Sequence, residues 1–242
     1  MIRKILVDVA KYQPNSLRTY KNAGAKGAIV QVSVSDSIVA PRAKAQVKSA
    51  KANNMWVAGY FSACFGNSVN QAESEAFYAV KQAKATGIPK GSYLAVDWER
   101  QDNYVDGSAS SNTLAILIAM NVIAKSGYRP LLYSSSTLLR INVNTSRIIA
   151  KYGTCLWVAS YPFAGATYKP HFMYFPSIKG VAIWQFTDNW KGLNVDGNVD
   201  FISFKPARVK ITKVKHASWR AQKGIFVLEQ ALKLHKSPRM PI

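Results

Sequence analysis

Residues 93–100 read Tyr93-Leu94-Ala95-Val96-Asp97-Trp98-Glu99-Arg100. In a strand, residues two apart share a face. Leu94, Val96 and Trp98 then form one large apolar face, suited to packing against helices. Tyr93, Ala95, Asp97 and Glu99 form the other, which ends in two acids. In barrels of alternating strands and helices, the carboxyl end of a strand is where chemistry is done. The chain has only 12 acidic residues among 242, yet two of them stand together at the end of an apolar strand. Burying two like charges is costly unless they are paired or used. On its own, an Asp-x-Glu fits equally well an exposed strand end salt-bridged to local lysines. The rest of the chain must decide.

Upstream of this strand the pattern alternates. Ile5–Ala10, Gly27–Ser33 and Trp56–Phe61 read as short apolar strands. Between them, Asn15–Ala23, Pro41–Asn54 and Ser68–Thr86 read as helices. Downstream, Asn112–Lys125 is an apolar helix, Pro130–Ser134 a strand and Val143–Tyr152 a short helix. Leu156–Ser160 and Val181–Phe186 are further strands, and Gly192–Phe204 carries Asp196 and Asp200. Five strand-helix units followed by strands predict an α/β fold, an irregular TIM-like barrel with helices outside.

Composition narrows the chemistry. A hydrophobic fraction of 48% supports a full core. No apolar run is long enough to span a bilayer, so membrane insertion is not expected. Asp8 interrupts the apolar run after Met1-Ile2-Arg3-Lys4 too early for a signal peptide, so no export signal is expected. Cys64 and Cys155 form no Cys-x-x-Cys pair, and His171, His216 and His235 have no zinc spacing. No metal or cofactor is therefore expected. The net charge of +20 implies an anionic partner: nucleic acid, a membrane surface or an anionic wall polymer.

The barrel mouth should gather Asp8, Asp97 and Glu99 with Tyr60, Tyr133, Trp157, Tyr161 and Gln185. Acids and aromatics without histidine suit sugar. Aromatic faces stack on pyranose rings, and carboxylates run acid–base chemistry on glycosidic bonds. Each aromatic on its own is as readily a core residue.

These residues carry a resemblance. Val7-Asp8-Val9-Ala10-Lys11-Tyr12-Gln13 resembles the opening Asp-x-Ser-x-x-Gln segment of glycoside hydrolase family 25, the bacterial and phage muramidases. Ala95-Val96-Asp97-Trp98-Glu99 is similar to that family's Asp-x-Glu strand. Leu131-Leu132-Tyr133, Leu156 to Tyr161 and Ile183-Trp184-Gln185-Phe186 resemble its later strands, and Gly197-Asn198-Val199-Asp200 its closing acidic motif. The resemblance covers about residues 1–204 and implies five strand-helix units followed by three strands. It implies Glu99 as general acid, and Asp97 as the group that steadies positive charge or orients the substrate's acetamido group. Asp8 and Asp200 would flank the site, with Asp196 the other candidate for the fourth acid. The implied substrate is the β-1,4 bond from N-acetylmuramic acid to N-acetylglucosamine in peptidoglycan. A phage or prophage endolysin, made in the cytoplasm and released to the wall, fits the absence of an export signal. Ala10, Ser62 and Ile202 depart from the family pattern, which commonly has serine, histidine and asparagine there.

The domain expectation is a catalytic barrel over 1–205 and a basic tail over 206–242. The stretch from Lys205 to Ile242 holds ten basic residues and one acid. Within it, Trp219–His235 resembles the start of a Src-homology-3-like wall-binding domain, and a basic element packed on the barrel is the other reading. Three alternatives to a muramidase stand. A chitinase-like barrel usually has more acids before its pair than Tyr93-Leu94-Ala95-Val96 supplies. A non-catalytic wall-binding lectin would not need Glu99. A nucleic-acid binder is allowed by charge, but no known module is present.

Overall fold

The computed structural model describes residues 3–99, 107–161 and 165–202. The basic tail from 206 onward, including Trp219–His235, lies outside the described residues. So does most of the polar loop after Glu99.

The chain runs β1 (Lys4–Val9), α1 (Arg18–Asn22), β2 (Gly27–Val34), β3 (Ile38–Val39), α2 (Ala43–Ala52), β4 (Trp56–Ser62), α3 (Val69–Thr86) and β5 (Tyr93–Asp97). It continues through α4 (Ala109–Lys125), β6 (Arg129–Ser135), α5 (Ser136–Ile141), α6 (Thr145–Tyr152), β7 (Leu156–Ala159), β8 (Val181–Thr187) and β9 (Asp196–Asp200). The strands are ordered β1-β9-β8-β7-β6-β5-β4-β2, and β1 pairs with β2 to close the ring. β3 hangs outside the ring as an antiparallel partner of β2. Five strand-helix units are followed by three strands, as the sequence pattern predicts.

Within the ring one strand runs against the rest. β9 is antiparallel to both neighbours, β1 and β8, whereas the other ring pairs are parallel. Its amino end therefore lies at the mouth of the barrel, where the other strands end.

Local chemistry accounts for the elements. β2 reads as a continuous β-branched run because parallel strands are covered on both faces, and Ala28, Ile29, Val30 and Val32 are fully buried. The Ser68 hydroxyl caps α3 by accepting from the Gln71 amide, and Gly87 ends it in a left-handed conformation at φ 88°. Between the caps, Ala72, Ala76, Ala79 and Ala83 are fully buried. Ser108 caps α4 three residues earlier than the apolar pattern suggests. β3 and α5 were not evident from the sequence. β3 is only two residues long, and α5 begins at Ser136 directly after β6, with Ser135 as its cap.

Candidate active site

β5 ends at Asp97, but the chain beyond it is held. The Trp98 amide donates to the Tyr133 carbonyl at 3.0 Å. The Ser134 hydroxyl donates to the Trp98 carbonyl at 2.7 Å, and the Trp98 indole donates to the Gly66 carbonyl at 3.1 Å. Trp98 is thus fixed in the apolar layer on three sides, and strand parity turns Asp97 and Glu99 the other way, into the barrel mouth.

There they meet a pocket of about 540 Å³ lined by Asp8, Tyr60, Asp97, Glu99, Tyr133, Trp157, Tyr161, Gln185 and Asp196. Every expected site residue but Asp200 is on this pocket. Asp200 is set apart from it. It lies at the far end of antiparallel β9, paired in register with Lys4 at the start of β1. It is four steps along the strand from Asp196, about 13 Å. Its carboxylate accepts from the Ile202 amide at 2.8 Å. A strand entering from the mouth brings its first acid to the site and carries its last one away, so the fourth pocket acid is Asp196.

Hydrogen bonds join these groups into two chains. In one, Gln31 Nε2 donates to Ser62 Oγ at 2.9 Å, and Ser62 Oγ donates to Asp97 Oδ2 at 3.0 Å. Ser62, which stands where the family commonly has histidine, thus serves Asp97. Asp97 Oδ1 is buried without a hydrogen-bond partner. In the other chain, the Trp157 indole donates to Asn198 Oδ1 and Asn198 Nδ2 donates to Asp8 Oδ2, both at 2.7 Å. Gln185 Nε2 donates to Asp8 Oδ2 at 3.3 Å and to Asp196 Oδ2 at 3.1 Å, and the Tyr133 hydroxyl donates to Gln185 Oε1 at 2.9 Å.

Electrostatics follows from the crowding. Burial is the main cause in each case, since it penalises the charged form. It raises Asp97 well above the ordinary carboxylate range, with repulsion from Glu99 adding to it. Glu99 is raised by burial and then by the charge of Asp8. Asp196 is raised to about 10 by burial and then by Asp8. Asp8 is raised by burial against the opposing hydrogen bond from Asn198. Each of the four keeps its proton to higher pH than an isolated carboxyl does.

The aromatics divide by exposure. Trp157 is 1% exposed and packs against Tyr133 at 4.4 Å between ring centroids. It is floor rather than wall, and its polar edge orients Asn198. Tyr161, 38% exposed, and Tyr12, 74% exposed, stand on the rim, with Lys11 Nζ 5.1 Å from the centre of the Tyr12 ring. Tyr12 was quoted in the opening motif but not singled out, although its position four residues after Asp8 is the signal. Gln31 has no signal in the sequence, and Ser62 and Asn198 stand in the quoted motifs without a site role, because a single polar residue on a strand leaves no pattern. Ile38, Val39, Ala40 and Pro41 form an apolar lip beside them. Among the described residues no group of histidine, cysteine, aspartate and glutamate side chains is arranged to hold a metal ion.

The family profile described as Glycosyl hydrolases family 25 matches residues 7–195. The lysozyme of Lactococcus phage mv1 is 43% identical over 170 residues, covering 70% of this chain and 84% of that one. The lysozyme of Streptococcus phage Cp-7 is 32% identical over 192 residues, covering 78% of this chain and 52% of that one. Among solved structures, the modular Cpl-1 endolysin complexed with a peptidoglycan analogue is 28% identical with a TM-score of 0.71. That match covers 84% of this chain and 56% of the endolysin, so this chain spans about half the length of its modular relatives. With the profile matched over most of its length and the barrel closed in the family's order, the chain belongs to glycosyl hydrolase family 25 and is a glycoside hydrolase.

Proposed function

We propose that the chain is a peptidoglycan muramidase of the phage endolysin kind. It hydrolyses the β-1,4 bond from N-acetylmuramic acid to N-acetylglucosamine. The observation that carries this reading is the pocket: Asp8, Asp97, Glu99 and Asp196 share one cavity with aromatic rims. Its described lining contains neither histidine nor cysteine. The relatives support the wall as substrate, since two are lysozymes and one endolysin was crystallised with a peptidoglycan analogue.

In this reading Glu99 is the general acid. Its carboxyl proton passes to the glycosidic oxygen as the bond from that oxygen to the muramic acid C1 breaks. The departing hydroxyl belongs to N-acetylglucosamine. Asp97, supplied with a hydrogen bond by Ser62, steadies the positive charge that grows at C1 or orients the acetamido group that captures it. Water then completes the hydrolysis, and its proton returns to Glu99. Asp8, beside an Asp196 that keeps its proton, supplies negative potential that favours both the protonated Glu99 and the cationic transition state. Tyr12 and Tyr161 stack on sugar rings at the rim.

The surface charge of +20 concentrates the enzyme on anionic wall polymers. The catalytic unit is the barrel over 1–205, and the basic stretch 206–242 adds wall attraction.

The test is to digest purified walls, reduce the products with borohydride and identify the new reducing ends by mass spectrometry. N-acetylmuramitol ends are expected. N-acetylglucosaminitol ends, or release of peptides alone, would overturn the reading.

A further inference from the structure

Glu75 is a buried acid that the proposed reaction leaves unused. It lies on α3, fully buried and off the pocket. Burying a carboxyl is costly unless its oxygens are hydrogen-bonded. The Cys64 amide donates to Glu75 Oε2 at 2.9 Å. Oε1 lies 3.3 Å from Ser35 Oγ, which is shared with Asp36 Oδ1 at 3.4 Å. Gln71 Nε2 also donates to Oε1, at 3.3 Å. Gln71 is on the same helix, but Ser35 and Cys64 belong to the chain that follows β2 and β4.

Those two segments meet at Ser62. The Ser35 amide donates to the Ser62 carbonyl at 2.9 Å, and Cys64 follows Ser62 by two residues. Glu75, Ser35, Ser62 and Cys64 thus close one hydrogen-bonded ring. Ser35 takes part from a left-handed conformation, φ 50°, which costs a residue with a side chain some strain. The strand ladders of β4 end at Ser62, so the chain beyond it depends on such bonds for its path.

Ser62 is where this ring touches the site. Its Oγ is 3.0 Å from Asp97 Oδ2, and the next amide, Ala63, donates to the Asp97 carbonyl at 2.8 Å. Asp97 Oδ1 has no partner. Among the described residues, Ser62 alone hydrogen-bonds to this carboxyl. A displaced Ser62 would leave it with none.

We propose that Glu75 is a positioning residue: it holds the chain on both sides of Ser62 and so keeps the Ser62 hydroxyl on Asp97. This rests on Asp97 having the part in hydrolysis given above. An action of Glu75 through its charge would have the opposite sign. Losing a negative charge eases the ionisation of Asp97. Losing the Ser62 hydrogen bond hinders it, because a hydroxyl serves the ionised form more strongly than the neutral one. The titratable groups acting on Asp97 are Glu99 beside it, Asp8 from β1, Tyr60 from β4 and Tyr133 from β6. Asp36, just before β3, faces Glu75. A substitution at Glu75 leaves all of these in the chain.

The test reads Asp97 without substrate, by ¹³C NMR titration of aspartate-carboxyl-labelled protein. The chain has eight aspartates, and Asp97→Asn identifies the signal. Ser62→Ala should raise the Asp97 midpoint by about 1 pH unit, the low end for a hydrogen bond to a charged group. Glu75→Met, of similar length but without an oxygen, should raise it too, by no more than Ser62→Ala does. Glu75→Asp keeps the charge but falls a methylene short of the Cys64 amide, and should also raise it. Glu75→Gln keeps an oxygen for that amide and should not. The double variant of Ser62→Ala with Glu75→Met should match Ser62→Ala alone, because without the hydroxyl Glu75 has nothing to aim.

A midpoint that falls in Glu75→Met would make Glu75 act by charge and overturn the proposal. So would an unchanged midpoint, the mark of a residue that only supports the fold, and so would a rise that persists undiminished in the Ser62→Ala background. If Glu75→Met does not fold, Glu75→Asp decides: a rise supports the proposal and an unchanged midpoint overturns it. Turnover of walls is measured separately on the wild type. Absence of muramidase products beside the expected titration would sink the function but not the hold of Glu75 on Ser62.

Discussion

Asp196 stands directly opposite Asp8 across the β1–β9 ladder, and a single amide nitrogen, Gln185 Nε2, reaches both carboxylates. Like charges directly opposite in a ladder are destabilising, and this pair relieves the conflict by retaining a proton, with Asp196 raised to about 10. The pair lines the candidate pocket, whereas Asp200 lies at the other end of β9. Asp196→Asn should therefore slow hydrolysis of soluble glycan strands by about tenfold or more, within the range seen for groups that support a catalytic acid. Asp200→Asn should stay within a few-fold of wild type. Initial rates on one substrate preparation compare them, and the reverse order would remove Asp196 from the site.

A stability prediction follows from the same protons. Asp8, Asp97, Glu99, Asp196 and the buried Glu75 all have raised folded-state values. The folded chain thus binds protons that the unfolded chain releases near about pH 4. This stabilisation is complete below that point and is lost as pH rises through the folded values, to about 10 for Asp196. Asp196→Asn imitates the protonated acid permanently. Its melting temperature should fall less steeply between pH 5 and pH 9 than that of the wild type, with a gain of a few degrees at the alkaline end. Parallel curves would contradict the assignment.

Gly197 lies between the two polar residues that face Asp8. A Cβ there would sit 2.9 Å from Thr187 Cγ2, 2.9 Å from Trp190 Cβ and 3.1 Å from Phe186 Cζ. Gly197→Ala should push β9 off β8 and displace Asp196 and Asn198 together. Urea denaturation should register about 1–3 kcal/mol of lost stability, the usual cost of overpacking, and activity should fall with it. An alanine variant as stable and active as wild type would mean that β9 shifts without consequence.

Charge should govern wall attachment. With 32 basic and 12 acidic residues, sedimentation with walls should weaken several-fold as salt shortens the screening length from ~10 Å at 0.1 M to ~3 Å at 1 M. Walls stripped of anionic polymers should bind less at low salt. Binding indifferent to both would assign attachment to sugar contacts instead.

The parts of the site that strand parity controls were legible in the sequence. Asp97 and Glu99 alternate with Leu94, Val96 and Trp98, so their direction followed from the pattern, and Asp8 did the same on β1. Strand direction was not legible. Gly197-Asn198-Val199-Asp200 reads equally well up or down the barrel, and only the antiparallel pairing of β9 with β1 and β8 makes Asp196 the acid at the mouth. Trp157 looked like a stacking platform by residue type, yet its neighbours bury it and use its N–H. The roles of Ser62 and Asn198 became visible only when the barrel brought them to Asp97 and Asp8, because a single polar residue in a strand carries no periodic signal.

The central claim is that Glu99 supplies the proton that breaks the glycosidic bond. The most direct measurement is the turnover number of Glu99→Gln on soluble glycan strands, with circular dichroism and melting showing that the variant is folded. The account predicts a loss of at least about a hundredfold, the scale of a general acid. A folded Glu99→Gln enzyme turning over within a few-fold of wild type would contradict it.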